Sequence, residues 1–382
     1  MAKGGMSMRK LKQITALALA MSLTLSSAST SALASASARV PSFENSLAGT
    51  SKVIRLTEKQ FASLELQRKR EERAGQRTLK GAARSTTKST TKSTKNTINK
   101  YRQYGYTSYY YNQLSSADKK LFNTMDKICY NFMTEKTNGI VNDVSGQNCV
   151  IPIKFTTTAS GKKLNEILNI FKVSNPHYYF LSGLLGYYEY ENGKKDCYLG
   201  VYTSFKKGTT RRACTKKFIT VVDSLATGLK KAYGTKSTKA KAMYLHDYIL
   251  ENCEYDYGVA DKILAKDMVT ENKYQTQSAW AILMRKKGIC MSLSAVYQIL
   301  GIKIGVPVIT VISPTHAWNK VKVGKSWCNV DLTYDECCTE GANIFRGYFL
   351  KSDAEVEGYD ILFGCYGIHQ MESFFTKYKV VN

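Results

Sequence analysis

Residues 288 to 335 read GICMSLSAVYQILGIKIGVPVITVISPTHAWNKVKVGKSWCNVDLTYD, and this order restricts the architecture more than any other part of the chain. Leu293, Val296, Ile299 and Leu300 form one apolar stripe at helical spacing, ending at Gly301. The run VPVITVIS that follows has the β-branched density of a buried strand. HAWNKVKV and SWCNVDLTY then flank Gly324-Lys325, which predicts a hairpin. A helix followed by antiparallel strands places the stretch in the α+β class.

The same stretch carries a chemical pattern. Cys290 stands at the predicted helix N-terminus, where unpaired N–H groups and the positive end of the dipole favour a thiolate. Those N–H groups can also hold an oxyanion on a carbonyl under attack. A two-residue turn at Gly324-Lys325 sets Trp318 opposite Asp331 and Thr333 opposite His316, so His316 and Asp331 are diagonal neighbours on one face. Moving the turn back one residue pairs them directly, on the same face. In either register the carboxylate can orient the imidazole for proton exchange with the thiol. Taken singly, the three residues read as a buried cysteine, a core histidine and a strand-end aspartate. Their joint order points to thiol acyl transfer.

The 382 residues carry a formal net charge of +25. Residues 1–38 supply +4, residues 39–67 supply +1 and residues 68–100 supply +9, leaving +11 for residues 101–382. Much of the basicity therefore lies in a leader and a linker. A basic surface suits anionic polymers or membranes. No helix-turn-helix, zinc-finger or RNA-binding signature accompanies it, so no nucleic-acid partner is expected. Arg9, Lys10 and Lys12 precede an apolar run from Ile14 to Leu25, followed by Ala32-Leu33-Ala34 and Ala36-Ser37-Ala38. This is the three-part pattern of a secretory signal over residues 1–38, which predicts a secreted or cell-surface protein. The ten cysteines include no C-x-x-C pair, and adjacent Cys337 and Cys338 resist bridging to each other. No cofactor or metal signature is present, and no disulfide connectivity or oligomeric state is indicated.

Residues 39–100 read as a basic, low-complexity linker. Within it, Thr57-x-x-Gln60 is a capping box opening a short helix, and STTKSTTKSTK at 85–95 cannot bury enough apolar area to fold. Residues 101–235 form a smaller α+β unit. It begins with a tyrosine cluster (Tyr101, Tyr104, Tyr106, Tyr109, Tyr110, Tyr111) read as packing, then a helix capped by Ser115. A hairpin is signalled at Asn192-Gly193. His177, in the aromatic run HYYF, is read as packed. Residues 236–382 make the second unit. His246 is a competing base there, although helix packing is the commoner fate of such a residue, and Thr276 opens a short helix carrying Trp280.

At this point the sequence resembles the bacterial transglutaminase-like superfamily. The matching residues are Gly288-Ile289-Cys290, His316-Ala317-Trp318-Asn319 and Asp331-Leu332-Thr333-Tyr334-Asp335, with Gln277-Ser278-Ala279-Trp280, Leu300-Gly301-Ile302 and Tyr348 to Asp353 flanking them. Tyr244 to Ile249 resembles the helix before this core. The resemblance covers residues 237–355 and extends more weakly over 101–236. It implies a papain-related core with a helix-borne cysteine packed on an antiparallel sheet. It also implies Cys290 as nucleophile, His316 as base and acid, and Asp331 as orienter. Met291-Ser292-Leu293 replaces the glycine and aromatic common in relatives, and Tyr334 stands where tryptophan is usual. Gln275, Gln277 and the Trp280 region are candidates for a second oxyanion donor.

The expected function is an exported thiol acyltransferase or hydrolase acting on protein or peptide amide bonds through a thioester. The alternatives are a cysteine peptidase or deamidase with the same three residues, or a wall-associated binding or scaffold protein without turnover. Anionic cell-surface polymers are a further expected partner, through the basic linker.

Overall fold

The computed structural model describes residues 51–82, 99–141, 148–264, 267–339, 343–362, 367–371 and 373–378. The expected leader and the 85–95 tract lie outside them. Strand β1 (Lys52–Arg55) leads into helix α1 (Glu58–Ala82). The Thr57 amide donates to Gln60 Oε1 at 2.9 Å and the Gln60 amide to Thr57 Oγ1 at 3.3 Å, closing the expected capping box. The helix runs 25 residues instead of stopping early. Phe61 anchors it by stacking on Tyr188 at 4.2 Å, and Arg68 pairs with Glu65 and Glu72 along its face.

Helices α2 (Tyr109–Gln113) and α3 (Ser116–Thr134) follow, the latter capped by the Ser115 hydroxyl. Then come β2 (Ile140–Val141), β3 (Asn148–Val150), β4 (Phe155–Thr157), α4 (Gly161–Ser174), β5 (Leu181–Glu189) and β6 (Lys195–Tyr202). These strands make one sheet in the order β1-β5-β6-β3-β2, with β4 also on β6 and β1 parallel to β5. The expected β5–β6 hairpin turns through Gly193, whose φ of +75° is the left-handed value that glycine adopts without strain.

Helices α5 (Gly208–Tyr233) and α6 (Thr238–Asn252) are separated near Gly234. Arg211 on α5 is fully buried and donates to the carbonyls of Phe132, Glu135, Thr137, Phe205 and Lys206, tying α5 to the end of α3. The chain continues through β7 (Glu254–Tyr255), α7 (Tyr257–Leu264), α8 (Met268–Tyr274), α9 (Ala279–Arg285) and β8 (Lys287–Gly288), with β7 and β8 paired in parallel. Helix α9 starts at Ala279 and not at Thr276, because Gln275 takes a left-handed conformation and caps α8.

Helix α10 (Cys290–Lys303) is buried nearly all round and packs on a second sheet. That sheet is antiparallel, in the order β12-β11-β10-β9, from β9 (Val308–Ile312), β10 (Ala317–Val323), β11 (Ser326–Val330) and β12 (Phe349–Lys351). Helix α11 (Leu332–Cys337) leaves β11, and α12 (Asp353–Leu362) follows β12. The architecture is α+β, as expected.

One cluster of buried side chains runs from Tyr101 to Tyr378 and joins both sheets. Gln298 on α10 fastens them: its Nε2 donates to the carbonyls of Gly105 at 2.8 Å and Val173 at 2.9 Å, and its Oε1 accepts from Thr310 Oγ1 at 2.7 Å. Tyr110, fully buried, donates to the Thr310 carbonyl at 2.7 Å, so the tyrosine cluster does pack the first sheet's helices onto the second sheet.

Candidate active site

Cys290 is the first residue of α10, with Ile289 as the cap in extended conformation. The Ser292 hydroxyl ties the turn together, accepting from the Ile289 amide at 2.9 Å and donating to the Ile289 carbonyl at 2.8 Å. The thiol thus sits on the first turn of a 14-residue helix, within the field of its N-terminal amides.

His316 and Asp331 are brought beside it by the β10–β11 hairpin. Val323 pairs with Ser326 and Asn319 with Val330, the two-residue-turn register. Both site residues sit just beyond the paired segments, because β10 begins at Ala317 and β11 ends at Val330. The expectation that strand continues through Tyr334 fails here. Asp331 caps α11, its Oδ1 accepting from the amides of Thr333 at 2.8 Å and Tyr334 at 3.3 Å, and this bends the chain into a helix.

The Nε2 of His316 is hydrogen-bonded to Asp331 Oδ2. The imidazole also interacts with the Cys290 sulfur, by hydrogen bond and by charge. All three residues are buried. Burial alone would lower the His316 pKa, but the Asp331 charge and hydrogen bond, helped by the Cys290 sulfur, raise it to about 10. Burial would push the Asp331 carboxyl up, yet His316 and His369 together hold it well below the usual carboxylate range.

The remaining sequence candidates are placed as follows. Gln275 is engaged away from the thiol, donating to Ser204 Oγ at 3.0 Å and to the Asn272 and Lys273 carbonyls. Trp280 stacks on Tyr179 at 5.0 Å and packs on Phe205, within the core that joins the sheets. Gln277 lines a small cavity of about 20 Å³ with Lys172 and with Met291, the residue after Cys290. His246 stands in a separate buried network, with Nε2 3.0 Å from Asp335 Oδ2 and Nδ1 3.0 Å from Asp247 Oδ1. His177 is fully buried against Tyr178, with ring centroids 4.3 Å apart.

Three groups around the site were not legible in the sequence. Lys172 on α4 is buried, and its Nζ is 3.4 Å from Gln277 Oε1. Burial lowers its pKa to about 8, against the opposing pull of Glu271 and Cys290. Tyr255 lies in the field of Cys290 and Asp331, and its hydroxyl is raised well above the ordinary value, first by burial. His369 Nε2 donates to Asp331 Oδ2 over 2.8 Å. Its only sequence signal is that it is one of four histidines in the chain. His316, Asp331 and His369 hold three potential ligand atoms within 4.8 Å of one another. These atoms are already satisfied by hydrogen bonds to each other, so the cluster reads as a hydrogen-bond chain.

Among the described residues none of the nine cysteines is in a disulfide, and the sulfurs of Cys337 and Cys338 are 3.7 Å apart. No described helix is long and apolar enough to cross a membrane.

Comparison with known proteins finds one matching segment. Residues 224–332 match the model of the transglutaminase-like superfamily. No curated protein sequence matches the chain significantly. Among solved structures, a TGase is similar at 15% identity over 41% of this chain and 53% of the other, with a TM-score of 0.28. A candidate cysteine protease from Cytophaga hutchinsonii is similar at 15% identity over 39% of this chain and 61% of the other, with a TM-score of 0.21. The chain therefore spans less than two thirds of either structure.

Proposed function

We propose, from the membership of residues 224–332 in the transglutaminase-like superfamily, that this protein is a thiol acyltransferase or hydrolase acting on amide bonds of proteins or peptides. The observation that carries the reading is the hydrogen-bonded run from Cys290 through His316 to Asp331, set at a helix N-terminus. The Cys290 sulfur attacks a carboxamide carbonyl, and the first-turn amides of α10 receive the developing oxyanion. His316 delivers its proton to the departing amine as the tetrahedral intermediate collapses to a thioester. An amine acceptor then gives a cross-link, and water gives deamidation or cleavage. The leader-like residues 1–38 support action outside the cytoplasm, and the excess of basic residues over 68–100 supports retention on anionic surface polymers.

The test offers the purified protein and its Cys290→Ala variant a labelled primary amine with casein. Amine incorporation, ammonia release and peptide fragments are followed together. Cysteine-dependent incorporation supports acyl transfer to amines, ammonia release without incorporation supports deamidation, and fragments support a peptidase. If wild type and variant match in all three, the protein is not a thiol enzyme.

A further inference from the structure

The segment after α12 lies outside the superfamily match, and it brings a second imidazole onto Asp331. We propose that His369 is a positioning residue of the Cys290 site: held by Asp360, it locks the Asp331 carboxylate, shares its charge, and so governs how His316 faces Cys290. The proposal deepens the thiol-enzyme reading above and rests on it.

The geometry is that of a relay with no free end. Asp331 Oδ2 receives His316 Nε2 from one side and His369 Nε2 at 2.8 Å from the other, while Oδ1 receives the Thr333 and Tyr334 amides. Rotation of this carboxylate breaks all four contacts. His369 is fixed in turn by Asp360, whose oxygens lie 2.8 and 3.0 Å from Nδ1. Asp360 is 4% exposed and also accepts from the Tyr348 hydroxyl at 3.4 Å. Both ring nitrogens of His369 therefore face carboxylate oxygens, a pattern met by donation from both. Trp318, Tyr334 and Tyr348 wall in the ring, with centroids at 5.0, 5.4 and 5.3 Å. A histidine that only filled space would not need two buried carboxylates.

The electrostatic consequence has a definite sign. The His316 and His369 rings are 5.4 Å apart and draw on the same oxygen. Each weakens the hold of Asp331 on the other, because both draw on one acceptor oxygen. Taking the His369 imidazole off this oxygen leaves Asp331 to His316, so His316 keeps its proton to higher pH. The other groups facing this pair are Cys290 from α10, Tyr334 from α11 and Tyr255 from β7, with Asp335 and Cys337 of α11 acting at longer range on Asp331. None of them replaces the bond that His369 makes.

The experiment uses the full chain as wild type, His369→Ala, and the double variant His369→Gln with Asp360→Asn. In the double variant an amide pair keeps a donor on Asp331 but carries no charge. Two readings are taken: the rate at which iodoacetamide labels the Cys290 peptide, and the titration of His316 followed by nitrogen NMR. With four histidines in the chain the spectrum is assignable. Expected are a loss of labelling rate on the order of tenfold in His369→Ala, recovery of most of that loss in the double variant, and a His316 titration moved to higher pH in both. Unchanged labelling and unchanged His316 titration in either variant overturn the proposal, whatever happens to thermal stability. If His369→Ala does not fold, the double variant decides. If wild-type Cys290 labels no faster than in urea-unfolded chain, the thiol-enzyme reading fails, and the His316 titration still decides the role of His369.

Discussion

The Ser292 hydroxyl and the backbone of Ile289 close a two-bond ring around the residue that carries the thiol, at 2.9 and 2.8 Å. A methyl group on Gly288 would come 2.2 Å from that hydroxyl and 3.2 Å from Ile282 Cδ1. Gly288→Ala must therefore displace Ser292 and the first turn of α10, and it should slow labelling of Cys290 as well as lower stability. Ser292→Ala leaves the space but removes both bonds, costing about 1–2 kcal/mol. Urea unfolding with labelling of the Cys290 peptide separates the two effects. Equal labelling in Gly288→Ala and wild type would show that this glycine does not position the thiol.

The raised pKa of His316 makes a prediction about pH. An unfolded histidine titrates near 6.5, and in the folded chain His316 is raised to about 10. Below about pH 6.5 both states are protonated and the pair with Asp331 contributes fully. As pH rises from about 6.5 toward 10 the unfolded chain releases the proton first, so this contribution falls by on the order of 1 kcal/mol per pH unit. Urea unfolding at pH 7 and pH 9 should show the loss, and Asp331→Asn should flatten it. A slope unaffected by Asp331→Asn rules out this pair as its source.

His246 tests the alternative base. Burial would lower its pKa, but its bonds to Asp247 and Asp335 raise it, and Asp335 has no exposed side-chain surface. Replacing His246 with leucine strands a buried carboxylate, at a cost of about 3–5 kcal/mol. The folded fraction should still incorporate amine, whereas His316→Ala should abolish incorporation. Loss of chemistry without loss of stability in His246→Leu would transfer the base role to it.

His177 is fully buried and neither of its ring nitrogens finds a partner among the described residues. Burial, with a smaller push from Arg102, lowers its pKa to about 3. The unfolded chain then binds a proton that the folded chain refuses, so stability falls as pH drops below about 6.5. By pH 5 the loss is about 2 kcal/mol. His177→Leu should remove that part of the acid sensitivity, read as a smaller difference in unfolding free energy between pH 7 and pH 5.

Local signals located most elements. The capping box at Thr57 and the Ser115 cap are short-range hydrogen bonds that the residue types dictate, and both form. The turn at Gly324-Lys325 set the β10–β11 register, since a two-residue loop leaves one pairing. At the end of β11, DLTY suits a strand as well as a helix start. Asp331 resolves it by capping α11 with the same side chain that holds His316.

The sequence by itself determined the α+β class, the helix that begins at Cys290 and the hairpin that carries His316 to Asp331, because these follow from periodicity, turns and caps within fifty residues. Only the tertiary structure decided what surrounds them. Lys172 reaches the site from 118 residues before Cys290, and His369 from 38 residues after Asp331. Contacts of that kind depend on how whole elements pack. A buried lysine or histidine is specified by its partners across the fold, and its neighbours in sequence carry no trace of them.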